Sequence, residues 1–592
     1  MTRRARSLLE ALEAFKHESA AGRAVEKTLV RLSRRDFRDA ESLIPFHEAL
    51  LFLRAYPQSA RVVSQTERLL AGFARRVERL EKAGADLTPF DEPEVAGIAG
   101  TTIGTDFSYD LVRWLIRRHG HRVRIDWGAC DAVERMRASW PYFLPLLSEE
   151  ALADANVPYL AWLSAAAGKK SADPAWLLDR YGRLPGAREE RAERYEALGL
   201  PVSWELGDSP ASRTRMRRPA RRIFACRRPL LSRRDVSLES EFAAPPLPVR
   251  RLSRREGEKL LDMARTSTAA RYREFYTFTY GDPSAVFAAR VGRGVEIFVS
   301  GLLPERRLPL RAGYAGLIVK NGVPVGYIEG LAFFERLEIG FNVYYTFREG
   351  ESAWIYAKVL KLHTQILGVT SFSIDPYQLG YENQEAIESG AFWFYRKLGF
   401  RPTRVAIGKL LAAEERKIAA DPSYRSSARM LKRLVTGNLL YEVPVHPNSE
   451  IRNPKSSSGP LGNPNSEIRN PKSAWSLFHI RNLGLAVNRR MAREFGGDAQ
   501  RIKTSSTGRA ARRLGVSLKN WSPLEAAAFE SWALVLDLVP DLARWSREEK
   551  EAVLAIVRAK AGREERRYLR LMQRHTRLRA AVLRIGSRTS RN

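Results

Sequence analysis

The chain has 592 residues, enough for several hydrophobic cores, and carries 99 Lys and Arg against 67 Asp and Glu, a formal charge of +32. Its two cysteines, Cys130 and Cys226, exclude a disulfide framework and a cysteine-rich metal site. No window approaches the roughly 18 uninterrupted apolar residues of a membrane span, and the basic start lacks the apolar run of a secretory signal, so the expectation is a cytoplasmic protein without a metal.

Of the basic residues 80 are arginine and 19 lysine. Such an excess can draw in a polyanion such as nucleic acid over long range. It can equally reflect an arginine-rich composition, because the arginines are spread through almost every segment. Both readings stay open.

The first 205 residues read as helical, with apolar residues at helical intervals in 39–52 and 59–80. The small-residue stretch IAGTTIGT (98–105) reads as a loop without nucleotide-binding spacing. A short strand is predicted over 122–127, after His119 and His121, which read as an exposed turn or two metal ligands lacking a third. From 206 to 246 the chain is rich in proline and arginine, RTRMRRPARRIFACRRPLLSRR followed by AAPPLPV, and reads as a linker or extended arm. That arm is the best candidate for a phosphate-backbone contact.

Between 247 and 412 strands and helices alternate. A strand is expected over 248–252 and a helix over 255–263. Short apolar strands follow within 285–300, and a hairpin (315–330) turns at Asn321-Gly322. Leu337 to Phe347 reads as another strand. Gly350 then leads into an apolar-faced helix (352–367), a strand (369–374), a helical segment from Asn383 to Leu398, and a last strand (405–410). A glycine-bearing strand-to-helix turn presents backbone N–H groups at the positive end of a helix, which suits a pyrophosphate.

The hairpin, long strand, glycine turn and helix, the next strand, Asn383-x-x-Ala386 and Tyr395-Arg-Lys-Leu-Gly399-Phe400 follow an order that resembles the GNAT N-acetyltransferase superfamily. The fold class expected is therefore α/β, a central GNAT-like mixed sheet with helices, flanked by mainly α-helical N- and C-terminal regions. The resemblance implies acetyl-CoA or another acyl-CoA as cosubstrate and an amine as acceptor. It implies a pyrophosphate turn of Arg348, Glu349, Gly350, Glu351, Ser352 and Ala353, with Asn383 near the pantetheine arm and Tyr395 near the sulfur as general acid. Phe347 and Ser352 differ from the family's usual turn residues, and the interval from Asn383 to Tyr395 is longer than usual.

Acyl transfer to an amine also needs a base, for which the strand carboxylates Glu329 and Glu338 are the candidates. The ordinary alternative for both is a polar strand face paired with arginines. His363 lies on the apolar-faced helix, and Tyr344 and Tyr345 should point to opposite sides of a regular strand. The leading function is an acyl-CoA-dependent N-acyltransferase. The alternatives are an aminoacyl-tRNA-dependent transferase and a non-catalytic nucleic-acid-associated protein of the same fold.

Residues 413–446 read as a helical extension. The nonamer NSEIRNPKS at Asn448–Ser456 recurs at Asn465–Ser473, and 447–474 reads as a disordered insertion. From 475 to 592 basic amphipathic helices are predicted over 477–495, 524–538, 547–559 and 564–583. The last could lie on RNA or a membrane surface, or pack on its neighbour.

Overall fold

The computed structural model describes residues 3–130, 135, 159–170, 173–220, 222–444 and 475–587, so the repeated nonamer lies outside the described residues. A central mixed sheet with interspersed helices is flanked by mainly helical N- and C-terminal regions.

The N-terminal helices begin where the sequence supplies caps: Asp39 accepts from the Ser42 N–H ahead of Ala40–Ala55, and Ser59 from the Val62 N–H ahead of Ala60–Ala71. Their apolar positions, among them Leu43, Phe46, Leu50 and Leu70, join one core that runs on through the central sheet to the C-terminal helices. The expected loop at 98–105 is corrected in part. It contains β1 (Thr102–Asp106), paired antiparallel with β3 (Pro201–Glu205), which also pairs with β2 (Val123–Ile125). Only Ile103 of β1 is buried, so there was no alternation to read. His119 is set against Trp114 and Trp204 in the second core built on this small sheet.

The 206–246 segment is not a free arm. Arg213 is buried and paired with Glu48, Arg218 pairs with Glu296 at 2.7 Å, and Arg233 donates to the Lys397 carbonyl at 3.1 Å. A like-charged run can pack when carboxylates and carbonyls from other elements meet each guanidinium.

The central sheet has nine strands in the order β11-β12-β10-β9-β8-β7-β6-β5-β4. In chain order these are β4 (Val249–Arg251), β5 (Gly281–Gly292), β6 (Val295–Leu302), β7 (Ala312–Lys320), β8 (Val323–Phe333), β9 (Arg336–Val343), β10 (Ser371–Ile374), β11 (Arg401–Pro402) and β12 (Leu439–Glu442). All neighbours are antiparallel except β9 and β10. Asn321 and Gly322 turn the β7–β8 hairpin with φ of 49° and 86°, the positive angles this tight turn requires.

Three expectations for this region are corrected. The Leu337–Phe347 strand ends at Val343, and after Tyr344 the chain coils into a short 3₁₀ turn, Tyr345–Phe347. The helical segment from Asn383 is two helices, Gln384–Glu388 and Ala391–Lys397, divided at Gly390 with φ of 70°. Residues 405–410 are not a strand but the start of the helix Val405–Ala420, whose buried Ile407, Leu411 and Glu414 recur at helical spacing beyond the six residues considered. The sheet is completed instead by β12, from beyond residue 412.

The C-terminal helices dock on the sheet through polar anchors. Arg579 and Trp475 both donate to Glu335, and Tyr568 donates to the Leu310 carbonyl at 2.5 Å. Among the described residues no helix is long and apolar enough to cross a membrane, and no group of three or more His, Cys, Asp or Glu is placed to hold a metal ion.

Candidate functional site

The single parallel pair in the sheet is short. Ser371, Phe372 and Ser373 of β10 lie opposite Arg336, Leu337 and Glu338 of β9. Beyond Glu338, β9 runs on to Val343 with β8 on one side and no β10 partner on the other. The sheet therefore opens between β9 and β10, and the free edge of β9 presents backbone groups there.

Residues of a strand alternate between faces, and the register places Tyr327, Glu329, Leu331 and Phe333 of β8 on the same face as Asn342, Gly340, Glu338 and Arg336 of β9. Glu329 sits opposite Gly340, whose missing side chain leaves room beside it; a Cβ there would come within 3.5 Å of Gln378. Glu338 is the diagonal neighbour of Glu329, about 7–8 Å away along such a pair. The two carboxylates differ in their surroundings. Glu338 is paired with Arg311 at 3.4 Å and Arg336 at 3.8 Å. Glu329 has no hydrogen-bond or ion-pair partner among the described residues, and burial alone pushes its pKa up to about 7. It is the one group of this face poised to gain and lose a proton near neutrality.

At the Arg336 end the face opens into a cavity of about 630 Å³ between the sheet, the 375–382 segment with its short helix Pro376–Leu379, the 436–438 loop and residues 475–481. Arg336 is fixed there by the Ser373 hydroxyl at 2.9 Å and the Phe478 carbonyl at 3.2 Å. At the other end Tyr327 packs on Phe275 and accepts a hydrogen bond from Arg273 at 3.0 Å.

The opposite face is covered by the helices Ser352–Leu367 and Ala391–Lys397. Phe341 meets Tyr356 and Phe394 there, and Tyr395 joins them with ring-centre distances of 5.5 Å to Tyr356 and 5.8 Å to Phe400. Tyr395 is thus a core aromatic, 3% exposed, whose phenol is shifted upward by burial alone. The structure brings Glu329 and Glu338 together but sets Tyr395 among rings on the other side. His363 is also interior: it bonds the Val359 carbonyl at 2.8 Å, and burial lowers its pKa to about 4. Tyr344 and Tyr345 do diverge, Tyr344 buried with its hydroxyl 2.8 Å from Ser267 and Tyr345 59% exposed.

The Gly350 bend is filled by protein groups. A Cβ on Gly350 would lie 2.5 Å from the Tyr56 hydroxyl, so the space beside the bend is already taken. Glu351 is wholly buried between Arg293 (2.6 Å) and Lys320 (3.2 Å) and accepts from the Leu231 N–H. Burial pushes its carboxyl up, but Arg293 and Lys320 outweigh this and hold it below the usual range. Glu349 meets His17 at 2.8 Å and Lys16 at 3.4 Å. Arg348 pairs with Glu385, the Ser352 hydroxyl donates to the Arg348 carbonyl, and Ala353 is buried. Asn383 caps its own helix, accepting from Ala386 N–H and donating to the Tyr377 carbonyl. These residues lie around one bend, but a pyrophosphate does not fit it as arranged: a buried carboxylate and a tyrosine hydroxyl already stand where an anion would sit. The N-terminal region supplies Tyr56 and the sheet region supplies Arg293 and Lys320, and no local feature of the 347–353 sequence announced that these would close on the bend.

Comparison of the chain with protein-family models, with curated proteins and with solved structures gives no match in any of the three.

Proposed function

We propose that this chain is an N-acyltransferase of the GNAT type, in which an amine bound over the β8–β9 face is acylated by a donor entering between β9 and β10. One observation carries the reading: Glu329, a carboxyl without a partner and with its pKa raised to about 7, faces the side of the sheet that opens beside it. The strand order supports it, since a parallel pair that separates, followed by helix, strand and helix, is the arrangement the family resemblance implies.

An ammonium acceptor must lose a proton before its nitrogen can attack. Glu329 takes that proton, and the neutral nitrogen then forms the C–N bond at the acyl carbon. Backbone N–H groups on the free edge of β9 beyond Glu338 stabilise the oxyanion that develops. The bond to the leaving group breaks as the carbonyl re-forms; the leaving group takes a proton from the now protonated Glu329 or from solvent, and the nitrogen, cationic after its attack, gives its second proton to the regenerated carboxylate or to solvent, leaving a neutral amide. Glu338, paired with two arginines, sets the charge of the acceptor's approach.

The filled Gly350 bend favours a second donor over acyl-CoA: an aminoacyl ester on tRNA, whose phosphates the arginine-rich surface can meet without that bend. The test offers radiolabelled acetyl-CoA and, separately, aminoacyl-tRNA to the full chain with a panel of amines. Transfer from one donor is expected. Glu329→Gln should lower the rate about 100-fold, while Tyr395→Phe should change it less than about twofold. No transfer from either donor, together with salt-sensitive nucleic-acid binding, would identify a non-catalytic binding protein instead.

A further inference from the structure

The cavity at the Arg336 end of the sheet has an uneven charge arrangement. Two of its arginines, Arg311 and Arg336, are committed to Glu338, and Arg336 also to Ser373 and Phe478. Two others are not. Arg404, at the start of the helix Val405–Ala420, and Arg481, at the start of the helix Ile480–Phe495, both line the cavity, are exposed, and have no carboxylate partner among the described residues. They come from elements far apart in sequence yet act on one group: burial lowers the pKa of His479 in the cavity wall, and Arg481, Arg336 and Arg404 lower it further against the opposing effect of Asp375. Of the three acids in the lining, Glu338 is paired with Arg311 and Arg336, Asp375 spends one oxygen capping the Tyr377 N–H, and Glu382 is exposed, leaving four arginines against three carboxylates.

We propose that this cavity binds an acceptor amine that also carries a compact oxyanion group, phosphate or carboxylate, with the oxyanion held by Arg404 and Arg481 and the amine directed toward Glu338 and Glu329. Two unpaired guanidinium groups facing one space are suited to an oxyanion, which arginine meets with paired N–H donors. Another basic cluster, that of Arg68 and Arg75 on the N-terminal helices, is lined by none of the β8–β9 face residues, and its one carboxylate is Glu78. The cavity volume admits a small metabolite-sized acceptor rather than a folded protein.

The amine's role here rests on the acyl-transfer reading, whereas the oxyanion site does not, so the two can fail separately. The experiment is calorimetric titration of the full chain at about 0.3 M KCl, where surface charge is largely screened. The probes are O-phosphoethanolamine, β-alanine, inorganic phosphate and ethanolamine. O-phosphoethanolamine or β-alanine should bind at least about tenfold more tightly than either single-function probe, and which of the two does so identifies the oxyanion. The exposed pair Arg404→Ala/Arg481→Ala should lose that binding by about tenfold or more with an unchanged thermal midpoint. The control pair Arg68→Ala/Arg75→Ala should keep it. Equal binding of ethanolamine, equal loss in the control, or no binding of either two-function probe would overturn the proposal. Glu329→Gln should leave inorganic phosphate binding at Arg404 and Arg481 in place while lowering transfer about 100-fold; binding without transfer from any donor would sink the acyltransferase reading and spare the oxyanion site.

Discussion

At the scale of single residues, Glu329 is the group whose chemistry departs most from its neighbours on the β8–β9 face. Its folded pKa of about 7 stands above the ordinary 4.5, so between those values the folded chain holds a proton that the unfolded chain has released. The stability this group contributes is therefore complete below about pH 4.5 and is lost as pH rises through 7. Relative to the native chain, Glu329→Gln should be equally stable at pH 5 and more stable at pH 8, by about 1–3 kcal/mol once solvent screening of a half-buried group is allowed for. Denaturant midpoints at the two pH values check this; a difference independent of pH would mean that the carboxyl pKa is not raised in the folded chain. Lys320, Arg293 and Glu351 stand at the other extreme. Their charges are satisfied by one another, and they hold the Gly350 bend closed rather than offering it to a ligand.

At the scale of elements, the β7–β8 hairpin does more than reverse the chain. The Asn321 side chain donates to the carbonyls of Ala55 and Phe224 and accepts from the Phe224 N–H, so one turn residue fastens an N-terminal helix and the 206–246 segment to the sheet. Asn321→Gly keeps the positive φ but removes all three hydrogen bonds. The expected loss is about 2–3 kcal/mol, read as a lower denaturant midpoint; a loss below about 0.5 kcal/mol would show that the fastening contributes little. The hairpin itself was legible from Asn321-Gly322 between β-branched runs, and the helix Ser352–Leu367 from Gly350 and its apolar face. What the turn touches was not, because Ala55 and Phe224 approach it only in the folded chain. The same holds for the candidate site. Glu329 and Glu338 were recognisable as strand carboxylates, but Arg404 meets His479 and Arg481 from a separate element, and no spacing connects it to them. Residues 405–410 misled because six apolar-rich residues fit a strand or a helix equally well, and only the recurrence at Leu411 and Glu414 decides.

At the scale of the molecule, burial of uncharged histidines sets the acid limit. His47 and His363 are wholly buried, and burial lowers each to a pKa of about 4, His47 even with Glu48 beside it. A folded pKa below the ordinary 6.5 gives stability that is complete above 6.5 and lost as pH falls toward 4, since the unfolded chain takes up protons that the folded one refuses. The pair should steepen acid unfolding to about 2–3 kcal/mol per pH unit in that window. Circular dichroism across pH 7 to 4 checks it, and a flat response down to pH 4.5 would contradict the buried neutral state of both rings.

The sheet draws its β12 from beyond residue 412, after the helices Val405–Ala420 and Ala428–Leu434 that follow β11. A polypeptide cut at that point would leave β10 as a bare margin, its N–H and C=O groups open to any passing chain, and would strip Glu335 of the tryptophan and arginine that neutralise it. Such a fragment would clump rather than behave as a self-sufficient catalytic unit, so the parts that composition separates along the chain are not parts that can be taken away.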